Sequence, residues 1–271
     1  MSRFPRSRLG PRASQVKRFQ DSPELTGPVY LWGEHVAGGL LIVGDSRAEA
    51  AFDLDHFDRR GLGPSALLSG PSASLFDLLR IVDRMTPARM MLCLSPLSLC
   101  GRPDAGMGVR LEGARAPLST AKIDAALDAY GDAWRRRLLE PVFPGLWKAG
   151  WFGRPQPGAS TGIYRAKLSR EALRDVLARG KQLEEHLRML QAKGWTIQCV
   201  RLPVSTGLRK LEDNRFPGHV FRHMCVRLDI PFFDYGEFSV VTSDGSHIAN
   251  GEALRVTRHL AEDHWKTFFA R

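Results

Sequence analysis

Three side chains near the two ends of the chain are of the types that could do chemistry together. Ser46 stands in "LLIVGDSRAEA" (Leu40–Ala50), where four apolar residues run into Gly44, Asp45 and Ser46. Asp244 and His247 stand in "VVTSDGSHIANGEA" (Val240–Ala253). A serine hydroxyl is a weak nucleophile near neutral pH. It needs a base, usually an imidazole, and the imidazole needs a carboxylate to orient it. A spacing of three residues lets Asp244 receive one ring N–H of His247 while the other ring nitrogen faces outward, toward Ser46. The chemistry would be acyl transfer through a serine ester. Each residue also has a plainer reading. Ser46 can be an ordinary turn serine, His247 can cap the following helix, and Asp244-Gly245 is a common turn pair. Asp45 is expected to brace its own turn by hydrogen bonds to backbone.

Such a cluster requires a scaffold that brings the two ends together, and the pattern of elements supplies one. Residues 38–45 read as a buried strand, nearly continuous in apolar residues, as a parallel strand covered on both faces should be. "PSALLSG" (Pro64–Gly70), "RMMLCLSPLSL" (Arg89–Leu99), "WTIQCVRLPVS" (Trp195–Ser205) and "IPFFDYG" (Ile230–Gly236) read as four more strands. Helical spacing recurs between them. It begins at Ala48–Phe57, continues at Leu75, Leu78, Leu79, Val82 and Met85, and covers Ser119–Leu139, Ser169–Lys193 and Pro217–Leu228. A last helix, Asn250–Phe269, starts at a capping asparagine. Strands alternating with helices predict a five-stranded parallel sheet in a three-layer α/β/α domain. Ligands of such sheets bind at the carboxyl ends of the strands. Ser46, Gly70 and Ser95 each follow one of those ends.

The chain has 271 residues, enough for one sizeable domain, and its composition is that of an ordinary globular protein. No apolar run approaches the roughly 18 residues of a membrane helix, and the first 20 residues lack the apolar centre of a secretory signal; the expected location is the cytoplasm. The formal charge is +10, but Arg3, Arg6, Arg8, Arg12, Lys17 and Arg18 stand in the first 18 residues without an acid, and the remainder carries about +4. Residues 1–28 are therefore read as a basic, disordered tail able to touch an anionic surface, and residues 29–271 as the domain. No nucleic-acid-binding motif accompanies the charge, so specific nucleic-acid binding is not expected. Cys93, Cys100, Cys199 and Cys225 form no C-x-x-C pair and read as free, mostly buried thiols. His219 and His223 are four apart, a spacing that can bind zinc, yet no third ligand pattern accompanies them. The remaining histidines are dispersed, and no phosphate-cradling glycine motif is present. No metal and no cofactor are expected.

Gly44-Asp45-Ser46 after the first strand of this unit, with Asp244-Gly245-Ser246-His247 before the last helix, resembles the SGNH/GDSL esterase and acyltransferase superfamily, whose fold is flavodoxin-like. Gly70 in "LLSGPSAS" falls where that family has its second-block glycine. The resemblance spans about residues 38–265 and rests on few of them. It implies Ser46 as nucleophile, His247 as base and Asp244 as its orienting partner, with the amides of Ser46 and Gly70 in an oxyanion hole. One such donor typically contributes about 10²–10³ in turnover. The family's third donor, an asparagine in a G-x-N-D motif, is missing: the place reads "CLSPLSL", with Ser95 near the expected position. Branches that acylate cell-surface polymers often depart from the same block. The Ser95 hydroxyl could substitute, the hole could have two donors, or activity could be lost.

Arg47 and Arg201 each invite two readings: contact with an anionic substrate, or a salt bridge on the sheet rim. A Pro/Gly-rich insertion at about residues 140–165 carries Phe143, Trp147, Trp151, Phe152 and Tyr164, with Trp134 just before it. Trp147 and Trp151 suit a lid or a wall against a sugar ring or acyl chain; the alternative is that they pin the insertion to the domain. The expected function is a serine esterase or O-acyltransferase acting on a small acyl ester, such as an acylated carbohydrate or cell-surface polymer. The alternative is a catalytically impaired domain of the same fold used for binding or assembly.

Overall fold

The computed structural model describes residues 16–19, 29–61, 63–70, 74–96, 170–215, 219–242, 245–249 and 252–269, with side chains throughout except at 16–19, 170–178, 214–215 and 264–269. The strands are β1 (Val16–Phe19), β2 (Val29–Gly33), β3 (Leu40–Gly44), β4 (Ser65–Ser69), β5 (Arg89–Cys93), β6 (Thr196–Arg201) and β7 (Phe232–Asp234). The helices are α1 (Ser46–Ala51), α2 (Leu54–Arg59), α3 (Leu75–Val82), α4 (Arg170–Ala192), α5 (Thr206–Arg215), α6 (His219–Arg227) and α7 (Ala253–Phe269).

One mixed sheet of seven strands runs in the order β1-β2-β4-β3-β5-β6-β7. Its five strands from β4 to β7 are mutually parallel, and they are the five read from the sequence. The expectation of a purely parallel five-stranded sheet needs correction at one edge. There β2 pairs antiparallel with β4, and β1 antiparallel with β2. Part of the basic segment expected to be disordered is therefore strand: Val16–Phe19 lies along Val29–Trp32. The pairing supplies the otherwise open backbone of β2 with partners.

Successive residues of a strand face opposite sides of the sheet, and the core divides accordingly. Leu41 and Val43 of β3, with Leu68, Met90, Leu92, Ile197 and Cys199, pack beneath Leu78 and Leu79 of α3, Leu183 and Leu187 of α4, and Phe221 and Met224 of α6. Leu40 and Ile42, with Leu67, Met91, Cys93 and Val200, pack against Ala48 and Ala51 of α1, Leu54 and Phe57 of α2, and Val256 and Leu260 of α7. Helices thus cover both faces of a largely parallel sheet. None of the described helices is long and apolar enough to cross a membrane.

The expected helix from Ala48 breaks in two. Asp53 leaves helical geometry and caps α2 through its side chain, which accepts from the His56 amide. Thr257 of α7 staples this break, accepting from the Asp53 amide at 2.9 Å and donating to the Ala51 carbonyl at 3.1 Å. The helix at Thr206–Arg215 was not expected from sequence. The predicted helix at Ser119–Leu139, the capping Asn250 and the aromatic insertion lie outside the described residues.

Candidate active site

Ser46 opens α1 directly after the carboxyl end of β3. The turn is built from its neighbours. Gly44 is required by space rather than by dihedral angle: a Cβ there would sit 2.6 Å from that of Ala48 and 2.9 Å from that of Cys93. Helix α1 can therefore fold back on the end of β3, and Cys93 of β5 can lie close beside it, only because residue 44 has no side chain. Asp45 is the N-cap of α1, its Oδ1 accepting from the Arg47 amide at 2.9 Å. Its Oδ2 accepts from the Ser95 hydroxyl at 3.2 Å. Asp45 thus braces the turn as expected, and it also ties the end of β3 to the end of β5.

His247 arrives from the other end of the chain in a short loop before α7. A bridge between Thr242 and Ile248 closes the base of that loop. Ile248 is buried in the core on the α1 side. Gly245 takes φ of +96°, a region glycine enters without steric cost, and its carbonyl accepts from the Ser205 amide at 3.0 Å. These ties present the imidazole to Ser46: His247 Nε2 and Ser46 Oγ are 2.8 Å apart across 201 residues of sequence. With the ring proton on Nδ1, the Ser46 hydroxyl donates to Nε2, the arrangement a general base needs to take that proton.

The other expected site residues fall as follows. Asp244 lies outside the described residues, as do Trp147 and Trp151. Gly70 is buried next to the elbow, but its amide donates to the Gly44 carbonyl at 3.3 Å. Ser95 is buried, with its hydroxyl on Asp45. Ser46's own amide stands in the first turn of α1, where amides have no intrahelical partner. Arg47 and Arg201 correct the expectation of substrate contact. Arg47 is 3% exposed and turned inward, its Nη2 donating to Glu212 Oε1 at 2.7 Å. Arg201 is 1% exposed and donates to Glu212 Oε2 at 2.8 Å and Asp213 Oδ1 at 2.9 Å. A guanidinium follows an opposite charge into the interior because an unpaired buried charge is costly. The salt-bridge alternative is the one the geometry holds.

Sequence reading passed over three groups beside the pair. Ser246, next to His247, accepts from Arg47 Nε at 2.9 Å. Glu212 of α5 is fully buried between the two arginines. Glu49 lies one helical turn beyond Ser46. Its Oε1 accepts from the Ser69 hydroxyl at 2.5 Å, and Ser69 in turn accepts from Trp32 Nε1 at 3.0 Å. Burial drives the Glu49 carboxyl above its ordinary 4.5. The Ser69 bond opposes the rise, nearby Asp45 adds to it, and the His247 charge opposes it. The i, i+3 spacing of Ser46 and Glu49 was the available signal for this residue. The other two depend on contacts between distant segments and leave no local signal.

Cys93 lies under the elbow and is not a rival nucleophile, since burial first and Asp45 second raise its thiol well above 9.0. Among the described residues no group of three His, Cys, Asp or Glu side chains could hold a metal ion. No protein-family model matches the chain, and no curated protein matches it.

Proposed function

We propose that the chain is a serine esterase or O-acyltransferase of the SGNH/GDSL type, working through an acyl-enzyme on Ser46. The observation that carries this reading is the 2.8 Å contact of Ser46 Oγ with His247 Nε2, made at the carboxyl end of parallel strands, where ligands of such sheets bind. Ser46 Oγ attacks the acyl carbonyl carbon as its proton passes to Nε2. The tetrahedral intermediate expels the alcohol, which takes the proton back from the imidazolium. Water, or the hydroxyl of an acceptor, then attacks the acyl-enzyme with His247 again as base. Hydrolysis and transfer differ only in which hydroxyl enters. The substrate class is a small acyl ester, with an acylated carbohydrate or cell-surface polymer as the natural form.

A second reading is favoured by a separate observation. The Gly70 amide and the Ser95 hydroxyl, two of the three candidate oxyanion donors, are engaged by Gly44 and Asp45. A site with so weak a hole suits a domain that keeps the fold for binding or assembly. Steady-state hydrolysis of p-nitrophenyl acetate by the wild type, Ser46→Ala and His247→Ala separates the two. Turnover lost in both variants supports the enzyme; equal background in all three proteins supports the binding module.

A further inference from the structure

The buried charges behind the Ser46–His247 pair form a brace. Arg47 follows Ser46 in α1 and reaches in two directions, to Ser246 Oγ in the His247 loop at 2.9 Å and to Glu212 in α5 at 2.7 Å. Glu212 is shared with Arg201 at the end of β6. Arg201 continues to Asp213, and Arg209 of α5 grips Asp213 at 2.7 Å and Asp234 of β7 at 2.9 and 2.8 Å. Three stretches of chain that lie far apart in sequence are joined through Glu212 or its partner Arg47: α1, the His247 loop, and the unit formed by the end of β6 and α5. The Ser205 amide on the Gly245 carbonyl adds a second tie between that corner and the loop.

Stability alone is a poor reason for such a cluster. Buried ion pairs often give little net stabilisation over apolar residues of similar volume, whereas removing one partner leaves a costly unpaired charge. What the cluster provides is direction. A guanidinium is planar, with donors fixed in a fork, and here Nε and Nη2 address different segments; an ammonium offers one point charge and no such fork. Resting on the esterase reading above, we propose that Arg47 is a positioning residue: by holding Ser246 and Glu212 together, it sets the His247 ring at hydrogen-bonding distance from Ser46.

The test uses Arg47→Lys, together with Ser246→Ala, which removes the acceptor of Arg47 Nε and leaves both members of the Arg47–Glu212 pair in place. Arg209→Lys is the control, because the Arg209 guanidinium belongs to the outer cluster, on Asp213 and Asp234, and among the described residues has no hydrogen bond to the loop. Two readouts are taken on the full chain: kcat and KM for p-nitrophenyl acetate, and the 15N shift of His247 Nε2. The expected result is a fall in kcat with little change in KM, on the order of 10²-fold for Arg47→Lys given the cost of misplacing a catalytic group by about 1 Å. Ser246→Ala should show a smaller fall of the same kind, and Nε2 should move in both variants. Arg209→Lys should lower the unfolding midpoint and leave kcat and Nε2 at wild-type values. Wild-type kcat and an unmoved Nε2 in both Arg47→Lys and Ser246→Ala would overturn the proposal. Should the wild type show no Ser46-dependent turnover while Nε2 still moves in both, the esterase reading falls and the positioning role of Arg47 stands.

Discussion

Gly44→Ala is a substitution whose consequence can be worked from distances. The new methyl would lie 2.6 Å from the Ala48 Cβ and 2.9 Å from the Cys93 Cβ. Carbon atoms prefer about 3.5–4.0 Å, so α1 must retreat from the end of β3 by roughly 1 Å. Neither neighbour can swing aside, because both contacts are to Cβ atoms fixed by buried backbone. Overpacking of this kind destabilises by about 1–3 kcal/mol. The larger effect falls on Ser46, which rides at the start of α1. A retreat of that size along the Ser46–His247 direction lengthens the 2.8 Å pair to about 3.8 Å, past the roughly 3.5 Å limit of hydrogen bonding. Reactivity should then fall on the order of 10²-fold. The assay is the second-order rate of labelling by a fluorophosphonate, measured alongside urea unfolding. Adding Ala48→Gly removes the closer clash and should restore a large part of the labelling rate, even though glycine costs about 1 kcal/mol in a helix. Wild-type labelling in Gly44→Ala, at an unchanged urea midpoint, would refute the argument that the seating of α1 sets the reactive distance.

Two further predictions follow from the buried titratable groups. Because the Glu49 pKa is raised in the fold, the native state binds that proton more tightly than the unfolded chain; the penalty is absent below 4.5 and grows as pH rises from there toward the folded value. Glu49→Gln should therefore gain stability relative to wild type as pH increases through that window, measured by urea midpoints, and a difference independent of pH would contradict the assignment. The Cys93 and Cys199 thiols are both raised well above 9.0, Cys93 chiefly by burial and Cys199 by its hydrogen bond with Cys225 and then by burial. Iodoacetamide at pH 8 should leave both unmodified in the native protein and alkylate both in denaturant, as read by peptide mass spectrometry; rapid native alkylation of Cys93 would show that the elbow is more open than described.

The parts of the fold visible in the sequence were those with their own local pattern. Of the five parallel strands β3 and β4 lie entirely in the interior, β5 and β6 nearly so, and the half-buried edge strand β7 carries two phenylalanines, so each announces itself as an apolar run. β2 and β1 did not, because Val29–Gly33 follows a proline and is only partly buried, while Val16–Phe19 sits among six cations. Helix α5 was missed for a physical reason: its inward-facing groups include Glu212, whose burial depends on Arg47 and Arg201 arriving from elsewhere. Amphipathic patterning cannot register a polar residue that is buried by pairing. Ser46 and His247 were legible because each stands in a short motif at an element boundary. The same limits explain why Arg47 was open to two readings. An arginine beside a nucleophile looks the same in sequence whether it faces solvent or a buried carboxylate.

The central claim is that Ser46 is a nucleophile made reactive by His247. It is tested most directly by treating the full chain with a fluorophosphonate, digesting it, and locating the adduct by mass spectrometry. A single adduct on Ser46, absent in Ser46→Ala and formed far more slowly in His247→Ala, is the predicted result. An adduct on another residue, or labelling of Ser46 at the same rate with and without the imidazole, would contradict it.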